Sequence, residues 1–219
     1  MRYPKKSHRK IVRIPRRSKK LAEFIGIMLG DGGINNDWQA NVSMNSVADA
    51  EYAIYVENLI VSLFGIYPAV RKRKERNTLV ISMASTTVVD YLVSLGLPKG
   101  NKLKAGLKIP KWILGNPSYR VACVRGLVDT DGCLYIHSHS VGGNKYRNIG
   151  LSFSSYSPIL IEQVAMLFEE SGIMPHISGR GTDIHLYRVN AVDRYLTVFG
   201  TSSERLRSVY REWRGARVV

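Results

Sequence analysis

The chain has 219 residues, 45% apolar and 22% charged, with 32 Lys and Arg against 17 Asp and Glu for a formal net charge of +15. This composition excludes a disordered chain, two cysteines cannot staple a secreted scaffold, and no apolar run approaches the roughly 18 residues of a membrane span. The opening MRYPKKSHRK has no apolar stretch behind it, so the expectation is a reduced, cytoplasmic, strongly basic protein whose partner is a polyanion, most directly nucleic acid.

In chain order, residues 1–20 hold ten basic side chains and no acid, a pattern suited to phosphate contacts. Two prolines and few large apolar residues argue there against a membrane-surface helix. Residues 19–30 place Leu21, Phe24, Ile25, Met28 and Leu29 at helical spacing. That helix ends in Asp31-Gly32, with the glycine suited to the left-handed position past a helix end. A hairpin over 34–45, an amphipathic helix over 47–64, a second hairpin over 66–85 and a helix over 86–96 follow. Residues 99–120 are basic, acid-free and broken by Pro and Gly, which reads as a linker. The same order then returns: a helix over 119–130 ending in Asp131-Gly132, a hairpin over 134–154, a helix over 157–171, a hairpin over 175–189 and a helix over 190–200. In the long hairpin, strict alternation puts Arg147, Ile149, Leu151 and Phe153 on one face. Residues 205–217 carry five Arg against one Glu.

This is a duplication. FIGIMLGDGG (24–33) matches VRGLVDTDGC (124–133), LFGIYP (63–68) matches ESGIMP (170–175), and VVDYLVSLG (88–96) matches AVDRYLTVFG (191–200), in the same order. The expected organisation is a basic extension (1–20), a first repeat (21–98), a basic linker (99–120), a second repeat (121–204) and a basic tail (205–219). Each repeat reads α-β-β-α-β-β-α, an α+β fold with one antiparallel sheet per repeat. A pseudo-two-fold pair of sheets suits duplex DNA, whose backbones are related by a two-fold axis.

The two Asp-Gly helix ends carry the chemistry. Gly26 and Gly30 share one helix face, as do Gly126 and Thr130, and small residues at that spacing let two helix backbones approach closely. Packed together, the helices would set Asp31 and Asp131 side by side at two negative dipole ends. Paired carboxylates cannot both ionise comfortably without a cation. Oxygen ligands without Cys or His suit Mg²⁺ rather than Zn²⁺, and a metal in a basic saddle suits phosphodiester hydrolysis.

These segments resemble the two motif copies of the LAGLIDADG (dodecapeptide, DOD-type) homing endonucleases. LGLPKGNKLKAGLKIPKWI (95–113) is similar to the inter-repeat segment of archaeal, bacterial and intein-borne members. The first copy departs from the motif at Leu29 and Gly30, where the name-giving sequence has Asp and Ala. The resemblance implies a monomer with two sheets forming a DNA-binding saddle, which cuts both strands of a long, nearly asymmetric duplex site and leaves short 3′ overhangs. It implies Mg²⁺, with Mn²⁺ substituting, on Asp31 and Asp131, with the carbonyls of Gly30 and Thr130 completing coordination. Lys102 becomes the candidate basic residue near the water or the scissile phosphate, with plain phosphate contact as its alternative role. Asn45 and Ser154 or Ser155 stand where some relatives carry Lys or Gln. Arg71, Lys72, Arg73, Lys74, Lys145, Arg147, Arg180 and Arg188 are the expected DNA contacts, with Asn35, Asn36, Gln39 and Asn144 as polar readers.

The rival readings are a non-cutting relative (an intron RNA maturase or a transcription regulator) and the endonuclease part of an intein. Met1 and the closing RGARVV show no splicing block, which favours a free-standing or intron-encoded gene. His137 and His139 share a strand face, but no Cys or third His at suitable spacing makes them a zinc pair. Cys123 and Cys133 read as buried thiols, and Trp38, Trp112 and Trp213 as packing anchors.

Overall fold

The computed structural model describes residues 11–73, 76–102 and 104–215. Ser18 opens the first helix by accepting the Leu21 N–H at 3.2 Å, and α1 runs Lys19–Gly30. Its residues from Leu21 to Leu29 are all buried, so α1 lies inside the molecule rather than on it. Then come β1 (Gly32–Ile34), β2 (Gln39–Asn45), α2 (Ala50–Phe64), β3 (Ala69–Arg73), β4 (Thr78–Ala84) and α3 (Thr86–Ser94). Gly65 ends α2 at φ 67°, where a side chain would be strained. After a short α4 (Lys111–Leu114), Asn116 caps and Pro117 begins α5, which runs to Asp131. The second repeat continues with β5 (Gly132–Val141), β6 (Asn144–Ser154), α6 (Pro158–Glu170), β7 (His176–Ile177), β8 (Asp183–Leu186) and α7 (Val189–Val198). A last helix, α8, spans Glu204–Gly215.

The duplication is explicit in the topology. Each repeat forms a four-stranded antiparallel sheet, ordered β1-β2-β4-β3 and β5-β6-β8-β7. Alternation splits each sheet into two faces. Ala40, Val42, Ile81 and Met83 of the first sheet, and Leu134, Ile149, Leu151, Phe153 and Ile184 of the second, are buried in one core that also holds α1 and α5. The opposite faces carry Asn41, Ser43, Arg71 and Arg73 in one sheet and Tyr135, His137 and Ser152 in the other. No helix among the described residues is long and apolar enough to cross a membrane.

Four expectations change. The basic stretch from 205 is not a tail: α8 buries Leu206 and Trp213, and the Trp213 indole donates to the Arg147 carbonyl of β6 at 3.1 Å. Neither Gly32 nor Gly132 is left-handed, and Gly132 is extended at φ −96°. Both are glycines because a Cβ would collide with the backbone of Met28 or Val128, one helical turn earlier. Cys133 is exposed on the open face of β5, whereas Cys123 is buried as expected. Trp38 is exposed as well, so of the three tryptophans only Trp112 and Trp213 anchor packing. Of the N-terminal extension, residues 11–17 run past the end of α2, α3 and the start of α5. The Arg13 N–H donates to the Phe64 carbonyl, Tyr91 to that of Pro15 and Tyr119 to that of Arg17.

Candidate active site at the motif helix ends

The site begins with two glycines. A Cβ on Gly26 would strike the Cys123 carbonyl, and a Cβ on Gly126 would strike the Glu23 carbonyl. Because the two contacts are related by the repeat, α1 and α5 cross at backbone contact with pseudo-two-fold symmetry. Further along, the missing side chain of Gly30 leaves room for the Thr130 hydroxyl and the Asp131 carboxylate. The close crossing brings both C-terminal ends, and so Asp31 and Asp131, to one place.

There the two acids share an unfavourable environment. Burial first, then the charges of Asp131 and Asp49, push the Asp31 carboxyl up to about 7 against the pull of Lys102 and Arg205. Burial pushes Asp131 up to about 6, with Lys102 opposing. The Lys102 ammonium donates to the carbonyls of Leu29, at 3.0 Å, and Gly30. Burial lowers the pKa of Lys102, and the two Asp charges resist the shift. The oxygen set at the helix ends thus already receives a cation. Its two carboxylates and helix-end carbonyl fit a hard divalent metal. Among the described residues no group of three or more His, Cys, Asp or Glu could hold a metal, so the donors beyond Asp31 and Asp131 would be carbonyls, water or phosphate.

Two cavities meet at Lys102. One, of about 670 Å³, is lined by Gly30, Asp131, Ser154, Ser155, Arg180 and Asp183. The other, of about 410 Å³, is lined by Asn35, Asn41, Ser43, Arg73 and Thr78 on the open face of the first sheet. Asp183 accepts from Ser154 at 2.6 Å and Thr182 at 2.7 Å, bonds that hold its carboxyl below the usual range. Ser154 and Ser155 therefore reach the site, whereas Asn45 is occupied in capping the backbone of Val47 and Ala48.

Several expected DNA contacts are placed differently. Arg71 and Arg73 lie opposite Val80 and Thr78 on the open face. Lys72 lies opposite Leu79 and so belongs to the helix-covered face. Arg147 shares the face of Ile149 and Leu151 and pairs with Glu212 of α8, which removes it from the open face. Arg188 precedes α7 as its N-cap rather than ending a strand. Asn36 accepts the Trp38 N–H in the β1–β2 turn, and Gln39 pairs with Ala84 on the open face. Asn144 opens β6 at the far end of its hairpin, and Lys74 and the side chain of Lys145 lie outside the described residues.

Two groups escaped the sequence reading. Arg205 donates to the Asp129 carbonyl at 3.2 Å and the Gly132 carbonyl at 3.1 Å, and pairs with Asp49 at 2.9 Å. Asp129 is the repeat-mate of Leu29, so Arg205 is the pseudo-symmetric counterpart of Lys102, and it is held in addition by Asp49. Asp129 itself is fully buried and accepts from Thr201 and from the Ser202 N–H at 2.8 Å. Beside it, buried Glu23 pairs with Arg125 at 2.5 Å and accepts from Tyr55 and Ser202. This network ties the segment before α8 across both motif helices.

Residues 118–213 match the family model described as a LAGLIDADG-like domain. A search of curated proteins found no match. Among solved structures, the I-LtrWI LAGLIDADG homing endonuclease bound to target DNA aligns over 90% of this chain and 89% of its own, at 10% identity and a TM-score of 0.60. I-SmaMI, bound to an uncleaved DNA target in the presence of calcium ions, aligns over 93% and 91%, at 10% identity and a TM-score of 0.59. I-DmoI in complex with DNA and Mn aligns over 84% and 97%, at 14% identity and a TM-score of 0.55. Two repeats, paired motif helices and an acid at each helix end define a single-chain protein of the homing-endonuclease fold. The LAGLIDADG-like domain model matches the second repeat, and the chain as a whole has the fold of these homing endonucleases.

Proposed function

We propose that this protein is a monomeric, site-specific endonuclease of double-stranded DNA, hydrolysing phosphodiester bonds and leaving short 3′ overhangs. The observation that carries this reading is the meeting of Asp31 and Asp131 at the paired helix ends, beneath Lys102, where cavities along both open sheet faces converge. Asp31 and Asp131 would hold Mg²⁺, or Mn²⁺ in its place, with the carbonyls of Gly30 and Thr130 as further donors. Such an ion supplies positive charge to the scissile phosphate and makes bound water easier to deprotonate. Arg71 and Arg73 take backbone phosphates in the first half-site, with Asn35, Asn41 and Gln39 near the base edges. Arg180 reaches the central cavity from the second repeat. Lys102 stands between the two cavities, where its ammonium donates to a phosphate oxygen or to the attacking water.

The test is to select duplexes bound by the full chain from a randomised pool, including the fused flanking sequences of its own gene, and then to add Mg²⁺. The expected result is a double-strand break at a fixed position, absent in EDTA. Tight, salt-sensitive binding with no break in Mg²⁺ or Mn²⁺ would overturn the nuclease reading in favour of a maturase or a regulator.

A further inference from the structure

The open faces of the two sheets differ in chemistry. On the second, Tyr135 and His137 lie with ring centroids 5.9 Å apart, His137 and His139 stack at 6.0 Å, and His139 stacks on Tyr146 across the strand pair at 5.6 Å. On the β8 side, His185 stacks on Tyr187 at 5.3 Å, and His176 of β7 lies 5.6 Å from the same phenol. His185 lies opposite Ser152 of β6, which in turn lies opposite Cys133 of β5, so both groups stand on one face of the same sheet. Gly150 makes room for the Tyr135 ring, which a Cβ there would strike. Of the five histidines in the chain, four stand on this face, and His8 lies outside the described residues. The equivalent face of the first sheet carries amides, hydroxyls and the fixed charges of Arg71 and Arg73, and no His or aromatic ring on its strands.

An imidazole can change its charge between pH 5 and 8. Neutral, it offers one donor and one acceptor; protonated, it offers two donors and a positive charge, which suits phosphate or the O6 and N7 acceptors of guanine. Nδ1 of His137 and of His185 is buried and has no hydrogen-bond partner among the described residues. The ionisable neighbours on this face are Tyr135, Tyr146, Tyr187, His176, Cys133 and Asp183. Arg180 lies in the turn above, and Arg147 and Glu212 pair on the far side of the sheet. Asp183 is held by Ser154, Thr182 and Ser178.

We infer that the half-site lying on the second sheet is read by this histidine–tyrosine ribbon and that its imidazoles take up protons as the duplex binds. Recognition of that half-site then weakens as pH rises, whereas the arginine-bearing first sheet reads its half-site without such a change. This inference rests on the DNA-binding reading above. Each proton taken up contributes about a tenfold change in affinity per pH unit across the imidazole range.

The test uses the full chain and a selected duplex in EDTA, at pH 6 and pH 8, with either half of the site scrambled in turn. Wild-type affinity for the duplex keeping only the second half-site should fall tenfold or more from pH 6 to pH 8. The triple variant His137→Gln, His139→Gln and His185→Gln should lose that fall and keep the affinity for the first half-site. Titration calorimetry of the wild-type protein in two buffers of different ionisation heat should show net proton uptake, a readout that needs no variant to fold. Specific binding with the same pH dependence in wild type and variant, or with no proton uptake, would overturn this inference and leave the nuclease reading standing. Failure to bind any duplex specifically at either pH would overturn both.

Discussion

Lys102 is the residue whose role the geometry narrows most. Its ammonium sits on the Leu29 and Gly30 carbonyls rather than out in a groove. Lys102→Met should therefore lower the single-turnover cutting rate by about 10²-fold or more while changing duplex affinity less than threefold. An equal loss in rate and affinity would make Lys102 a plain phosphate contact. The paired acids predict a pH effect of definite sign in the metal-free protein. Asp31, at about 7 when folded, binds a proton through a range where the unfolded chain has lost it, so its contribution to stability falls as pH rises from about 4 to about 7. Asp31→Asn should thus raise the melting temperature in EDTA far more at pH 8 than at pH 4, and an equal shift at both would contradict the buried-acid picture. Asp31 and Asp131 were legible in the sequence because the duplication marks them twice. Arg205 was not, since its repeat-mate is a lysine at a drifted offset and its work is done through backbone carbonyls. Arg147 shows the opposite failure: its place beside Ile149 and Leu151 was readable from alternation, and its charge alone suggested DNA.

Among the elements, the α1–α5 crossing and α8 bear most of the architecture. Gly26→Ala or Gly126→Ala must push a carbonyl of the opposite helix away, at a cost of about 1–3 kcal/mol or more. For a chain of this size that is a fall of roughly 2–4 °C in melting temperature per kcal/mol, and because it separates the helix ends it should also reduce cutting. An unchanged melting temperature would mean that the crossing is loose. Trp213 is fully buried beneath the β5–β6 hairpin, so Trp213→Ala should cost about 3–5 kcal/mol, measured by denaturant unfolding. A loss below 1 kcal/mol would show α8 to be an appendage. The motif helices and both hairpin sets followed from apolar spacing. The helix α8 carried the same signal, Leu206, Val209, Tyr210 and Trp213 at three- and four-residue steps, but four nearby arginines dominate its composition. The extended conformation of Gly32 and Gly132 could not be read, because glycine serves both a left-handed turn and a close backbone approach.

On the scale of the molecule, duplication gives two sheets, and divergence gives them different work. The first repeat has a three-residue β1 and an arginine-bearing face; the second has a long hairpin propped by α8 and a face of imidazoles and phenols. On the proposed function the two repeats build one catalytic centre jointly, Asp31 coming from one and Asp131 from the other. The most direct test of that claim is strand-resolved cleavage of a selected duplex in Mg²⁺ by Asp31→Asn and Asp131→Asn, each compared with wild type. A single centre built jointly by the repeats predicts that each substitution abolishes cutting of both strands while leaving duplex binding intact. Wild-type cutting of both strands by either variant would contradict it.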